Sequence, residues 1–284
     1  MNTTIHAMRV GLKRGGTELL LSLKSAQDQS FYVVMALLAL GYLYLRRNTV
    51  IEGTELSFAT LAMPSLLGSL VVFGLIMGPA GQLAMDREDG TLLRAKAVPG
   101  GTLGYVTSQI VLHSGSLIPT LLVILIPGAL IFDGLMPSGG EGWIRLIWVL
   151  LLGIVATLPI GIVIGSLVPS VQKTTTWGFL PVMILAGISG IFYPVQALWG
   201  WLQGVAQAFP MYWLGLGMRS AFLPDEAASL ELQESWRSGQ MIAVLSVWAI
   251  LGLVLAPILL RRMARRQSGS AVVAARDQAA QWVR

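Results

Sequence analysis

Long runs without charged residues alternate with short polar segments along most of the chain. A helix that crosses a membrane needs about 20 mainly apolar residues. The strands of a membrane barrel would alternate apolar and polar positions, whereas the runs in this chain are continuous. The pattern therefore predicts an all-α polytopic membrane protein. Six transmembrane helices are predicted, at residues 30–46, 56–84, 102–132, 143–168, 177–193 and 241–260.

The composition extends this interpretation to the whole chain. Of the 284 residues, 55% are hydrophobic and 12% are charged, whereas about 25% of the residues in a soluble domain are charged. Residues 1–284 are therefore interpreted as a single membrane-spanning domain. The net charge of +5 does not indicate nucleic-acid binding, because basic residues without a soluble domain to present them reflect the positive-inside rule. The absence of cysteine excludes thiol catalysis and cysteine metal sites.

One charged segment interrupts the apolar pattern. Residues 85–101 read MDREDGTLLRAKAVPGG and contain six charged side chains, whereas the predicted spans on either side, 56–84 and 102–132, contain none. Each Arg, Lys or Asp costs about 2.5 to 3.5 kcal/mol at the centre of a membrane helix, so this loop is expected to reach water. Thr91 is the expected N-cap of a short rigid helix within the loop, on the membrane surface.

Two other segments allow more than one structure. Residues 1–29 contain a leucine cluster between Glu18 and Lys24, which fits either an amphipathic helix in the membrane interface or the start of the first span. Residues 194–222 are largely apolar but are broken by two prolines and four glycines. They predict a re-entrant hairpin of two short helices within one leaflet, with a loose interfacial loop as the alternative.

Small residues at helical spacing predict close packing between spans. The segments Gly74–Gly78 and Gly161–Gly165 each place two glycines on one face of a helix. The third run contains His113 and Pro119 and is longer than one straight span, so a tilted or kinked helix is expected. His113 is interpreted as hydrogen-bonded to a neighbouring helix and not as a proton relay, because it stands alone.

The basic residues orient the chain in the membrane. The N-terminal segment, residues 85–101, residues 169–176 and the C-terminal segment together hold 14 of the 19 lysines and arginines. The positive-inside rule places these segments in the cytoplasm. Both termini are then cytoplasmic, which requires an even number of spans and agrees with six.

The sequence lacks the motifs that would power or catalyse a reaction within this chain. It contains no GxxxxGK[ST] phosphate loop, no GxSxG nucleophile motif and no HExxH zinc motif. No Asp or Glu lies within the six predicted spans, whereas ion-coupled carriers keep carboxylates at membrane depth. No catalytic residue, metal site or cofactor is therefore expected in this chain. The energy is expected to come from a partner that contacts the charged loop.

Two motifs point to a family. The first is Arg87-Glu88-Asp89-Gly90-Thr91-Leu92 followed by Val98-Pro99, and the second is Ser189-Gly190-Ile191-Phe192-Tyr193-Pro194 followed by Gly200-Trp201-Leu202, Pro210 and Arg219. Together, at this separation, they resemble the permease subunit of the type-2 ATP-binding cassette (ABC) exporters, which include bacterial drug-resistance and antibiotic self-protection pumps. With six spans and cytoplasmic termini, the resemblance covers nearly the whole chain.

The resemblance implies a multi-pass protein of the bacterial cytoplasmic (inner) membrane. It implies a dimer of permeases, identical or paralogous, with two separate cytoplasmic ATPase subunits that bind ATP and Mg²⁺. It also implies that the first cytoplasmic loop is a coupling helix against the ATPase, and that the segment after the fifth span forms the external gate. The coupling residues carried over are Asp86, Arg87, Glu88, Asp89, Gly90, Thr91 and Leu92. The gate residues carried over are Phe192, Tyr193, Pro194, Trp199, Trp201 and Pro210.

One departure from the family pattern concerns the charge of the coupling loop. Where the family often has an acidic residue and then a leucine pair, this chain has Leu93, Arg94, Ala95 and Lys96. The two added positive charges predict that the ATPase surface facing this loop is more acidic than is usual in the family.

The resulting prediction is a permease that moves a hydrophobic or amphipathic small molecule, similar to a drug or an antibiotic, out of the cell by alternating access. The apolar walls expected of the substrate path indicate this class; they are Met35, Phe73, Met77 and Phe179. The alternatives are a non-transporting scaffold or sensor of the same fold, an exporter of a lipid-linked glycan or an ion, and an ion-coupled carrier.

Glu88→Ala and Gly90→Pro are each expected to abolish transport, because both change the loop through which the energy is expected to enter. Neither changes an apolar run, so membrane insertion is expected to stay intact. Transport in cells that co-express the ATPase partner and immunoblotting of the membrane fraction measure the two effects. Full transport in both variants would remove the loop from the mechanism.

Overall fold

The computed structural model describes residues 3–49, 57–132, 136–168, 170–190 and 195–266, and the regular structure within these ranges is all helical. The α-helices are α1 (Thr3–Lys24), α2 (Ala26–Leu45), α3 (Phe58–Glu88), α4 (Thr91–Lys96), α5 (Gly101–Ile131), α6 (Gly139–Leu167), α7 (Val171–Lys173), α8 (Phe179–Ile188), α9 (Gly200–Ala208), α10 (Pro210–Phe222) and α11 (Ser238–Arg266). A π-helix, Thr174–Gly178, joins α7 to α8, and 3₁₀ turns lie at Val195–Ala197, Asp225–Leu230 and Leu232–Glu234.

Four of the described helices, α3, α5, α6 and α11, are long and apolar enough to cross a membrane. They lie at four of the predicted spans, which agrees with a polytopic membrane protein, and the described residues confirm the all-α class. The helix of the first predicted span, α2, has 20 residues, and its described apolar part is Ala36–Leu45. The fifth predicted span, residues 177–193, begins within the π-helix and continues as α8, which has only 10 residues. The first and fifth spans, and with them the number six, stay predictions.

α6 packs directly against α3 because glycine removes the side chains that would separate the two helices. A Cβ atom at Gly161 would lie 2.3 Å from the Ile76 carbonyl oxygen, and a Cβ atom at Gly165 would lie 2.9 Å from the Ala80 carbonyl oxygen. Without side chains at these two positions, the backbones come into van der Waals contact, which is the main attraction between helices in lipid. The contact confirms the close-packing face that was predicted for α6.

α10 lies at the centre of the described helices, and all 13 of its residues are buried. It packs against α3, α6 and α11. Pro210 is its first residue, where proline removes no intrahelical hydrogen bond. α9 and α10 meet at Phe209, which has an extended backbone. The broken apolar segment therefore does form two short helices and not a loose loop, while their re-entrant depth in the membrane stays a prediction.

α1 is a separate helix, and only Ser25 lies between it and α2. Its buried face consists of Ala7, Gly11 and Gly15, and it packs along α5. A Cβ atom at Gly11 would come within 2.4 Å of the Gly104 carbonyl oxygen. The leucines that predicted an interfacial helix are mostly exposed, as that alternative requires. The packing on α5 was not predicted, because it depends on the small residues and not on the leucines.

Residues 85–101 are not the loop that the charge pattern predicts. α3 continues to Glu88, and a tight turn then leads into α4. Gly90 has a φ of 80°, in the left-handed region that favours glycine. The expected N-cap at Thr91 is wrong, because Gly90 is the N-cap residue of α4 and the Asp89 carboxylate accepts a hydrogen bond from the Thr91 backbone N–H at 2.7 Å. The short helix itself is present.

The segments predicted to be cytoplasmic lie together at one end of the helices. Arg87, at the end of α3, donates a hydrogen bond to the Val168 carbonyl oxygen just after α6. α4 contacts α3, α5 and α11. Arg14 of α1 lies over the Tyr105 ring near the start of α5, 5.7 Å from the ring centroid. This grouping agrees with the predicted orientation, in which this end faces the cytoplasm.

Gly161→Ala is expected to destabilise the protein by about 1 to 3 kcal/mol, because the added methyl group would overlap the Ile76 carbonyl oxygen. Gly81→Ala is the matched control, since a Cβ atom at this position of α3 meets nothing within 4 Å. The midpoint of thermal aggregation in detergent, followed by size-exclusion chromatography, should fall for the first variant and not for the second. An equal midpoint for both variants would contradict the contact between α3 and α6.

Candidate functional site

A cavity of about 600 Å³ lies between α3, α5 and α8. It contains three of the four residues predicted for the substrate path, namely Phe73, Met77 and Phe179. The rings of Phe73 and Phe179 lie 6.0 Å apart between centroids, tilted by 36°. Phe73 is the central residue of α3, and Ser116 is the central residue of α5, so the cavity lies midway along both helices. The side chain of the fourth predicted residue, Met35, lies outside the described part of the chain.

The polar wall of this cavity comes from α5. His113, Ser116 and Thr120 follow one another on successive turns and face the cavity. His113 Nε2 lies 3.0 Å from Gln109 Oε1 of the same helix, so the expected hydrogen bond to a neighbouring helix is wrong. The His113 ring lies against Gly78 of α3, where a Cβ atom would come within 2.7 Å of Nδ1. The small-residue face of α3 therefore accommodates this ring and not a second helix backbone.

Three of the predicted coupling residues turn towards the protein. Asp86 is 4% exposed, and its Oδ1 accepts a hydrogen bond from Gln82 at 3.0 Å. Arg87 donates to Val168 at 2.7 Å, and Glu88 Oε1 accepts from the Val171 backbone N–H at 2.9 Å. Asp86 is therefore buried and Arg87 and Glu88 are half-buried, because α3 extends beyond the apolar run and carries them alongside the neighbouring helices.

The remainder of the predicted coupling segment, from Asp89 to Lys96, forms an exposed tip that one buried side chain anchors to the helices beneath it. Leu92 is the anchor, at 1% exposure. Arg94 and Lys96 lie on the opposite, exposed side of α4, and Arg94 donates to the Thr91 hydroxyl at 2.8 Å. Asp89 is exposed beside them. The structure therefore presents both signs of charge at this tip.

A buried ion pair lies towards the other end of the helices. Arg219 of α10 donates to both carboxylate oxygens of Glu231, at 2.5 and 3.1 Å, and the two side chains are 8% and 10% exposed. The same guanidinium donates to Ser65 Oγ of α3 at 3.2 Å and to the carbonyl oxygen of Gly190, two residues after the end of α8, at 3.0 Å. Arg219 thus joins four segments. The motif contained Arg219, but its partner had only a weak signal, the acidic stretch that follows α10.

A second, exposed ion pair ties α6 to the same stretch. Arg145 donates to Asp225 Oδ1 at 2.7 Å, and the Trp236 indole N–H donates to the same oxygen at 3.2 Å. The hydrogen bond and the positive charge of Arg145 lower the pKa of Asp225 below its usual value. The carboxylate therefore keeps its charge, and this contact, at mildly acidic pH.

Of the predicted gate residues, the structure describes Trp199, Trp201 and Pro210, and these three differ in exposure. Trp199 and Trp201 are exposed at 72% and 65%, and their rings stack at 6.3 Å between centroids. Pro210 lies in the interior at the start of α10. The other three predicted gate residues, at positions 192–194, lie outside the described part of the chain.

Comparison with known proteins bears on the whole arrangement. The family model for the ABC-2 type transporter matches residues 28–223, which is more than two thirds of the chain. The chain belongs to the ABC-2 type transporter family. It is the membrane-spanning permease of such a transporter, and the family implies that it works together with ATPase subunits. No match was found among the curated proteins.

In this ABC-2 permease, the matched region contains α3, α4, α5 and α10, and with them the cavity, the coupling segment and Arg219. Among the described residues, no group of histidines and carboxylates is arranged to hold a metal ion. The cavity can take an apolar ligand with a few polar groups, and the coupling segment can receive a partner.

Glu231→Ala is expected to destabilise the permease by about 3 to 5 kcal/mol, because it leaves the Arg219 guanidinium buried without its carboxylate. Glu226→Ala is the matched control, since this neighbouring carboxylate is exposed. The double variant Arg219→Met, Glu231→Leu is expected to cost less than Glu231→Ala, as no charge remains unpaired. Thermal denaturation in detergent measures all three. Equal midpoints for the two single variants would contradict the buried pair.

Proposed function

We propose that this chain is the membrane-spanning half of an ATP-driven exporter that moves a hydrophobic or amphipathic small molecule out of a bacterial cell across the inner membrane. One observation supports this proposal most directly: a single helix, α3, carries the coupling segment at one end and the cavity residues Phe73 and Met77 at its middle. The partner ATPase subunits bind and hydrolyse ATP with Mg²⁺. This chain supplies the path and the moving helix.

The coupling segment is built to transmit a displacement. α3 is continuous over 31 residues, and the turn to α4 is held by Gly90 and by the hydrogen bond from Thr91 to Asp89. The buried Leu92 anchors α4 to the helices beneath it. A force from the ATPase on α4 is therefore passed to the end of α3, since a short capped turn stores little of the motion.

The contacts of Arg87 and Glu88 mark where α3 moves relative to the link after α6. Arg87 donates to Val168 and Glu88 accepts from Val171, so both bonds cross from α3 to the segment that leads through the π-helix into α8. α8 lines the cavity through Phe179 and Met183. A tilt of α3 at its end thus changes the spacing of two cavity walls together. For this reason Glu88 acts in coupling through its bond to Val171 and not as an exposed charge.

A second permease subunit completes the cavity in this proposal. Phe179 and Met183 are 42% and 37% exposed in the single chain, and exposed apolar walls of a path need a cover that excludes lipid. A second copy or a paralogue supplies that cover. Rocking of the two subunits then opens the cavity alternately to the cytoplasm and to the outside.

The segment that follows α8 in the sequence closes the path on its outer side. Arg219 holds the Gly190 carbonyl oxygen and Ser65 of α3 together, so an outward opening has to move this junction. The gate roles of Phe192, Tyr193, Pro194, Trp199, Trp201 and Pro210 follow from the family resemblance and belong to this proposal. A scaffold or sensor of the same fold would use none of these movements for transport, and substrate-stimulated ATPase turnover distinguishes it from an exporter.

Charge reversal at the tip, Arg94→Glu with Lys96→Glu, is expected to weaken assembly with the ATPase by about tenfold or more, because like charges across an interface repel. Arg46→Glu is the control, because Arg46 follows the last residue of α2. At that end of α2, Tyr44 lines a groove together with Ile131, the last residue of α5, so the position lies away from α4. Co-purification with the ATPase and substrate-stimulated turnover are measured together with membrane insertion. Unchanged assembly and turnover in the double reversal would rule out this tip as the docking point.

A further inference from the structure

The hydroxyl groups that α5 presents to the cavity already donate their protons in hydrogen bonds within the helix. Ser116 Oγ donates to the Leu112 carbonyl oxygen at 2.7 Å, and Thr120 Oγ1 donates to the Ser116 carbonyl oxygen at 2.7 Å. A hydroxyl has one proton and two lone pairs, so each of these groups keeps only the capacity to accept. Towards a ligand, both side chains are therefore acceptors.

His113 is the third polar side chain of this wall. Its Nε2 lies 3.0 Å from the Gln109 amide oxygen of the same helix. Its Nδ1 lies against Gly78 of α3, where a Cβ atom would come within 2.7 Å of it. Both ring nitrogens are therefore occupied by contacts within the protein, and the acceptors that remain for a ligand are the two hydroxyl oxygens.

The rest of the described wall adds no donor and no charge. The lining residues other than these three polar ones are Leu70, Phe73, Gly74, Met77, Gly78, Leu117, Ile124, Phe179 and Met183. Aromatic faces carry partial negative charge, and thioethers are weak acceptors. The backbone N–H groups of the helical lining residues are used within the helices. A ligand carboxylate, sulfonate or phosphate would therefore find no partner in this wall, whereas a ligand N–H or O–H would find two acceptors, the hydroxyl oxygens of Ser116 and Thr120.

We propose that this cavity selects uncharged amphipathic molecules that donate a hydrogen bond, through a hydroxyl, an amide N–H or a neutral amine on an apolar skeleton, and that it discriminates against anions. The inference rests on the proposed function, because it treats the cavity as the substrate path. It narrows the substrate class by the chemistry of one helix face.

Binding of three related fluorescent probes to the full-length chain in lipid nanodiscs tests the inference. N-phenylnaphthylamine carries one N–H donor, its N-methyl derivative carries none, and anilinonaphthalene sulfonate adds an anion to the same skeleton. The wild-type chain is expected to bind the first probe about fivefold more tightly than its N-methyl derivative, which is the effect of one hydrogen bond. It is expected to bind the sulfonate more weakly than the first probe, because the lining offers the anion neither a side-chain donor nor a positive charge. Energy transfer from the tryptophans reports the bound fraction.

Cavity variants and matched controls assign any preference to the α5 wall. Ser116→Ala and Thr120→Val are each expected to reduce the preference for the N–H probe, and the second variant serves if the first does not fold. Thr157→Val and Ser166→Ala are the controls, because these hydroxyls in α6 donate to their own helix in the same way but lie outside the cavity. Both controls are expected to keep the wild-type preference.

Each outcome decides the inference. Equal binding of N-phenylnaphthylamine and its N-methyl derivative by the wild-type chain would overturn it, and so would a preference that persists in both cavity variants. Binding of the sulfonate as tightly as the N–H probe would overturn the discrimination against anions. The probe-binding measurement needs no ATPase, so its result can be interpreted even if the chain does not support ATP-driven export. Loss of the probe preference would in turn leave export standing.

Discussion

The contact between α3 and α6 is the constraint on which the described structure depends most. Lipid provides no hydrophobic force between helices, so their association depends on close packing of their surfaces. Gly161 and Gly165 bring the two backbones together, and α10 packs against both helices. Because this side of α3 is occupied along most of its length, only its other side is left to form a cavity wall. The position of the cavity therefore follows from the packing behind it.

The same helix, α3, connects the cavity with the predicted coupling residues. At its middle, Phe73 and Met77 face the cavity. At its end, Arg87 and Glu88 hold the link between α6 and α8. One helix thus runs from the cavity to the exposed tip. Two hydrogen bonds between its side chains and neighbouring backbone groups define where it meets the link after α6: Arg87 donates to the Val168 carbonyl oxygen, and Glu88 accepts from the Val171 N–H. Rigid elements with few connecting bonds are what a movement between two arrangements requires.

Buried charged side chains lie at both ends of the helices. In neither case does the charge pattern of the sequence predict that the side chain is buried. Asp86 was expected in water and is 4% exposed. Glu231 belongs to an acidic stretch that reads as a solvated loop, yet it pairs with Arg219 in the interior. Glu231 accepts two hydrogen bonds from Arg219 of α10, and Asp86 accepts one from Gln82 of its own helix. Hydrogen bonding of this kind is the condition under which a buried charge is tolerated.

The sequence alone determined the all-α membrane class, the four long spans and the two short helices after residue 194, because helix length and apolar continuity are local properties imposed by the solvent. It also predicted Phe73, Met77 and Phe179 for one path, and these three line one cavity. Only the tertiary structure decided that α5 adds His113, Ser116 and Thr120 to the wall of that cavity and that Arg219 meets Glu231. Such contacts depend on which helix faces come together, and that choice results from packing over the whole chain.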